Sequence, residues 1–219
     1  MSKSSPDVDL IVAYDPSFRR NAHQLLAWGY EDARPIIKPT LEETDITGFI
    51  AEKIDKRLGD PDTPPRFVRY SIAEDQPVVG EGRTGKSRRR VDLVVECTRG
   101  KPRKKYIFEA KRLRKRGYPI SKYTDKEGLQ QFIFGTAYAT QYPEAAMIGY
   151  IQSDNYEYWI GELTRKFTES NNGLSIIKEL TQVEVIASLP NELVSQHDRS
   201  TGSPITVYHI LLDCSEISI

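Results

Sequence analysis

Asp92, Glu109 and Lys111 are the residues of this 219-residue chain whose types and spacing first suggest chemistry. Asp92 interrupts the apolar run Val91-Asp92-Leu93-Val94-Val95, and Glu109 and Lys111 close the run Tyr106-Ile107-Phe108-Glu109-Ala110-Lys111. A carboxylate within an apolar segment is costly unless its charge is compensated. Lys111 could serve one of the two acids, whereas a divalent metal would serve both. Mg2+ takes oxygen ligands, commonly one or two carboxylates completed by water and phosphate, and Mn2+ can replace it. An ammonium beside such a metal orients a water or stabilises charge building on a phosphorus oxygen. The chemistry implied is hydrolysis of a phosphodiester.

Positioning these groups requires two adjacent strands. The flanks of the segment are rich in β-branched and aromatic residues, and its middle, Cys97 to Lys104, holds Gly100 and Pro102, which predicts a hairpin. Side chains alternate between the faces of a strand, so Asp92, Val94 and Glu96 share a face, as do Ile107, Glu109 and Lys111. A basic stretch resembling a helix follows, from Arg112 through Arg114, Lys115 and Arg116.

An Asp, a hairpin's worth of residues, then Glu-x-Lys resembles the PD-(D/E)XK nuclease superfamily. The resemblance implies an α/β fold, a mixed central sheet flanked by helices in a restriction-endonuclease-like core, here with an N-terminal helical extension. It assigns Asp92 as the metal-binding Asp, Glu109 as the second acidic ligand, Lys111 as the catalytic lysine and the Ala110 carbonyl as a further metal contact. Val91 stands where the proline of the family name would be. In that superfamily a helix before the first strand often adds an acid, which makes Glu43 or Glu52 a candidate, Glu43 first, although helix capping explains Glu43 equally well. Gly128-Leu129-Gln130-Gln131-Phe132 resembles the superfamily's glutamine-bearing helix, with Gln130 the first choice for the substrate-positioning amide and Gln131 the second. The implied activity is a Mg2+-dependent nuclease, endonuclease and DNA favoured, in restriction, phage defence or repair. The rival reading is a nucleic-acid-binding protein of the same fold without activity. Cutting both strands of a duplex would favour a homodimer.

The formal net charge is zero, 31 basic against 31 acidic residues, but it is unevenly distributed. Arg83 to Arg116 holds 15 Lys or Arg against three acids, Asp92, Glu96 and Glu109, so the rest of the chain is correspondingly acidic. A basic cluster bracketing a candidate metal site attracts a phosphate backbone. Lys86, Arg88, Arg89, Arg90, Arg112, Arg114, Lys115 and Arg116 are the candidate contacts. Gly80 to Ser87 matches Gly-x4-Gly-Lys-Ser in letters, but a phosphate-binding loop hands its phosphate to the helix that follows. Here arginines and a β-rich run follow instead, so nucleotide binding is the lesser alternative.

One domain is expected, read as helical over 1–61, catalytic over 62–152 and completed by a helix and strands over 153–219. Phe18 to Tyr30 carries Phe18, Ala22, Leu25, Leu26 and Trp28 near helical spacing, stopped by Gly29; a second stripe runs Ile46, Phe49, Ile50, Ile54, Leu58. Strands are expected at Phe67–Ala73, from Arg90, at Ala145–Gln152, Val183–Leu189 and Ile205–Cys214, and helices at Asp125–Thr140 and Asn155–Phe167. Pro190 to Pro204 reads as a polar loop. The two cysteines, Cys97 and Cys214, have no metal-like spacing, and His23, His197 and His209 are scattered. His197, Arg199 and His209 read mainly as surface residues. Met1 to Pro6 lacks a signal peptide's apolar core, no stretch has the length of a membrane span, and a reducing cytoplasmic setting is the default expectation.

Overall fold

The computed structural model describes residues 16–77, 88, 90–99, 103–134 and 142–216. Two helices open it, α1 (Pro16–Ala33) and α2 (Glu43–Leu58), on the stripes the sequence predicts. Acidic Glu43 and Asp45 stand in the first turn of α2 and Lys56 and Arg57 in its last, as the helix dipole favours. The helices meet at Gly29, where a β-carbon would lie 2.4 Å from Ile54 Cγ1 and 2.8 Å from the Ile50 carbonyl oxygen, so only glycine permits this approach.

Seven strands follow: β1 (Tyr70–Pro77), β2 (Arg90–Cys97), β3 (Lys104–Leu113), β4 (Glu144–Ile151), β5 (Ile176–Val183), β6 (Glu192–His197) and β7 (Ile205–Asp213). They form one mixed sheet in the order β1-β2-β3-β4-β7-β6-β5. β3, β4 and β7 run parallel, and the outer pairings are antiparallel. The central strands are covered on both faces and are apolar almost throughout, as parallel strands must be. One face packs on α1 and α2 through Leu25, Ile46, Ile50, Phe108 and Ile148. The other carries Leu113, Met147 and Val207 beneath α3 (Ile120–Thr124), α4 (Gln130–Phe134) and α5 (Tyr156–Thr168), whose Trp159 and Leu163 pack into the same layer. The expected α/β class, a mixed sheet flanked by helices, is the fold observed.

Several boundaries differ from expectation. Phe67 lies in a 3-10 turn begun by Pro65, so β1 starts at Tyr70. The basic stretch after Lys111 is not helical: β3 continues to Leu113, and Arg114 pairs with Tyr118. Of the helix expected over Asp125–Thr140, the described part is α4 from Gln130 to Phe134; Asp125–Leu129 is a turn, with Gly128 packed against the Tyr123 carbonyl, where a β-carbon would come within 2.2 Å. Residues 135–141 lie outside the described residues. β5 ends at Val183, where a strand was expected to begin, and β6 occupies part of the expected loop.

Candidate active site

The β2–β3 ladder is regular from Cys97↔Lys104 to Leu93↔Phe108, the last pair of its register. Beyond it β3 continues alongside β4 alone, through Glu109↔Met147 to Leu113↔Ile151. Alternate amides of a strand point to the same edge, so this parting would strand the N–H groups of Ala110, Arg112 and Arg114. Each finds another acceptor. Ala110 N donates to Asp92 Oδ2 at 2.7 Å, Arg112 N to Glu43 Oε2 at 3.0 Å, and Arg114 N to the Tyr118 carbonyl at 2.9 Å. Two carboxylates thus take the place of the departing strand, and one comes from the first turn of α2.

The same carboxylates face Lys111. Its Nζ donates to Glu43 Oε1 and Glu109 Oε1, both at 3.0 Å, and to the Ala110 carbonyl at 2.5 Å, with Asp92 Oδ2 at 3.9 Å. The hairpin therefore brings Asp92, Glu109, Ala110 and Lys111 together as expected, and α2 adds Glu43. The group opens to solvent on one side: the Asp92 and Glu43 side chains are 25% and 26% exposed, against 6% for Glu109. Asp92 Oδ1 accepts no hydrogen bond from the described residues. Glu52, the second candidate acid, pairs instead with Lys53 on an exposed part of α2.

Electrostatics here are strained by one ammonium facing three carboxylates. Burial pushes the Asp92 carboxyl up from 3.8 to about 6, against the opposing pull of the Lys111 ammonium and the Ala110 N–H. Burial alone would lower Lys111, but the Glu109, Glu43 and Asp92 carboxylates override it and hold the amine well above its ordinary 10.5. Lys111 is accordingly charged at neutral pH.

Among the described residues no group of three or more His, Cys, Asp or Glu side chains is arranged to hold a metal ion. The point toward which the acids turn is taken by Lys111 Nζ. By donor type the set still suits a hard divalent cation: carboxylate oxygens, one with no hydrogen bond, a backbone carbonyl, and two negative charges beyond what one ammonium balances. Residues that would hold such an ion are Asp92, Glu109, Glu43 and Ala110, with Lys111 moved off the centre.

Other predicted residues lie elsewhere. The Gln130 amide nitrogen lies against Gly173, 2.9 Å from where that residue's β-carbon would be, in the turn leading to β5 rather than among the cluster's contacts. Arg112 is only 7% exposed; its guanidinium lies 3.8 Å from the Tyr118 ring centroid and 2.6 Å from Glu42 Oε2, which commits it to the fold and takes it out of the candidate backbone contacts. Arg90 is paired with Asp75, and Lys115 reaches Asp154 at 3.7 Å. Arg114 and Arg116 are exposed, and Arg88 is half-buried. Lys86, Arg89 and the Gly80–Ser87 loop lie outside the described residues.

His197 and His209 are not surface residues: both are fully buried in a polar chain beneath α3. His197 Nδ1 lies 2.6 Å from the Leu174 carbonyl, Ser195 Oγ lies 2.7 Å from His197 Nε2 and 2.8 Å from His209 Nε2, and Tyr123 Oη lies 3.0 Å from His209 Nδ1. With both rings neutral a single proton order satisfies every link: Tyr123 to His209, His209 to Ser195, Ser195 to His197, His197 to Leu174. Burial supports that state, lowering His209 from 6.5 to about 3 and lowering His197 as well. Ser195 is 2% exposed, so this serine–histidine pair is a structural network and meets no substrate. On the opposite face of the sheet buried His23 lies 3.0 Å from Glu192 Oε2 and 2.9 Å from Tyr106 Oη.

No helix among the described residues is long and apolar enough to cross a membrane. Comparison with protein-family models, with curated proteins and with solved structures finds no match to this chain, so its functional reading rests on the geometry of the carboxylate–lysine cluster.

Proposed function

We propose that the protein is a metal-dependent nuclease that hydrolyses phosphodiester bonds of nucleic acid, DNA in preference, at the cluster of Glu43, Asp92, Glu109 and Lys111. The observation that carries this reading is the convergence of three carboxylates from α2, β2 and β3 on one ammonium at a solvent-open notch. Mg2+ or Mn2+ bound by Asp92, Glu109, Glu43 and the Ala110 carbonyl would supply a Lewis acid and a water of lowered pKa. Lys111, held protonated by its neighbours, serves as a hydrogen-bond donor and fixed positive charge toward the phosphoryl oxygens, and is no general base. The parted ladder keeps Ala110 and Arg112 anchored through Asp92 and Glu43, so the acids are held in place before a substrate arrives. Arg114 and Arg116, exposed and a few residues past Lys111 in the chain, offer charge to a backbone. By the resemblance of its Asp and Glu-x-Lys residues, the setting would be restriction, phage defence or repair.

One observation favours a second reading. Lys111 Nζ occupies the point the carboxylates face, as in a protein that binds nucleic acid without cutting it. A plasmid-nicking assay with Mg2+, with Mn2+ and with EDTA, on the parent, Asp92→Asn and Lys111→Ala, separates the two. Hydrolysis is expected with either metal, lost in EDTA, and reduced at least about a hundredfold in each variant, the usual scale for a lost electrostatic or acid–base contribution. Cleavage indifferent to chelator and substitutions would refute the site; plasmid retention without cleavage would select the binding reading.

A further inference from the structure

A cavity of about 490 Å3 opens at the turn end of the β2–β3 hairpin, away from the carboxylate cluster. Its wall includes Arg66 and Arg69 from the segment entering β1, Tyr70, Cys97 at the end of β2, Arg99, and Lys104 at the start of β3. Four cations line it, and none of its described lining residues is an acid. This contrasts with the rest of the β3 neighbourhood, where Lys105 is paired with Glu96, Arg103 with Glu96 and Lys111 with three acids. Among the described residues Arg66, Arg69, Arg99 and Lys104 have no carboxylate partner; Arg66 rests its guanidinium 4.8 Å from the Phe67 ring centroid.

Like charges gathered without counter-ions repel, and the field in a concave site is focused on its interior. Three guanidinium forks and an ammonium match the oxygens of a phosphate, which can take several donors at once. The cavity exceeds the volume of one inorganic anion and falls within the range of small-ligand sites. Its wall also presents an aromatic surface: Tyr70 stacks on Phe18 with centroids 5.9 Å apart, and its hydroxyl is pinned by a 2.9 Å hydrogen bond from Asn21 Nδ2. An anchored ring beside a cationic floor is the pairing that holds a base and its phosphate. Cys97 lies five residues from Asp92 on β2, roughly 17 Å at about 3.3 Å per residue, so the cavity is separate from the carboxylate cluster.

We propose that this cavity is a binding site for a phosphate ester carrying a planar base, either a free nucleotide or one nucleotide of a strand. It goes beyond the nuclease reading and stands or falls independently of it. Cys97 makes the test direct, since it lines the cavity half-buried while Cys214 is buried. The rate of Cys97 alkylation by iodoacetamide and calorimetric binding are measured with adenosine 5′-monophosphate, adenosine, a single-stranded hexanucleotide and a hexaglutamate peptide. The monophosphate or the hexanucleotide slows alkylation, adenosine does not, and Arg69→Ala and Arg99→Ala each weaken binding about tenfold. Both arginines are exposed, so the fold tolerates their loss, and Arg69→Lys recovers part of the affinity. Protection by the monophosphate identifies a free nucleotide, and protection by the hexanucleotide alone identifies a strand. The proposal is overturned if no phosphate-bearing probe protects Cys97, if adenosine or hexaglutamate protects equally, or if the alanine variants bind like the parent.

Discussion

Replacing Lys111 by methionine keeps most of its aliphatic length and removes the ammonium that Glu43, Asp92 and Glu109 share. At 14% exposure the lysine side chain is mostly out of solvent, and removing one partner of a buried ion pair costs about 3–5 kcal/mol, because the charge left behind is uncompensated. Here three acids are left, so the upper end is expected at pH 8, a fall of roughly 10 °C or more in Tm for a chain of this size. The sign of the pH dependence follows from which state holds protons. In the parent, the raised Lys111 contributes stability that is complete below 10.5 and is lost only as pH rises through its still higher folded value. In the variant Asp92, already raised to about 6 by burial and now deprived of the ammonium that lowers it, takes up a proton in the folded state at pH values where the unfolded chain has released it. The deficit relative to the parent should therefore shrink between pH 8 and pH 5. A divalent ion offers a second remedy: ten millimolar Mg2+ or Mn2+ should restore more stability to the variant than to the parent, since binding to the folded state alone adds stability by mass action. Urea denaturation at several pH values, with and without metal, measures all of this. A deficit under about 1 kcal/mol, or one independent of both pH and metal, would refute the charge balance described for this site.

Further predictions concern the fold. His209 is neutral inside and takes a proton only when unfolded, so its contribution is complete above pH 6.5 and is lost as pH falls toward 3. Between pH 7 and pH 5 the parent should lose about 2 kcal/mol that a His209→Gln variant does not, as read from urea midpoints; equal slopes would contradict a buried neutral ring. Gly29→Ala should destabilise by about 1–3 kcal/mol despite alanine's better helix propensity, because the added carbon meets Ile54 and the Ile50 carbonyl; an unchanged Tm would show that α1 and α2 do not approach as described.

How far the sequence could be read depended on whether a segment's polarity reflected solvent. α1, α2, α5 and the β2–β3 hairpin carry apolar residues at the period of their element, and Asn155 caps α5 by accepting from Tyr158 N, so their positions were legible. β6 was hidden because Glu192, Ser195 and His197 are polar yet nearly fully buried, Glu192 satisfied by His23, Ser195 by His209, and His197 by Ser195 and the Leu174 carbonyl. β5 was hidden for the opposite reason, as an edge strand with most of its residues exposed. In the site, Asp92, Glu109 and Lys111 could be grouped because a two-residue period fixes them on paired strands. Glu43 could be named only as one of two candidates, since its approach depends on how α2 docks 68 residues away. Gln130 followed a helical pattern that Gly128 breaks, and the cationic cavity draws on three separated segments with no shared motif.

The parted strands also restrict how this chain can change. Positions 43 and 92 each supply an oxygen to a main-chain amide, apart from any charge they bring to Lys111. Exchange of the acids for asparagine, glutamine or threonine would keep the amides satisfied, whereas valine or alanine would leave an unanswered donor on the open margin of β3. Such a margin is a template for pairing with another chain, so the damage from an apolar replacement would show first as self-association.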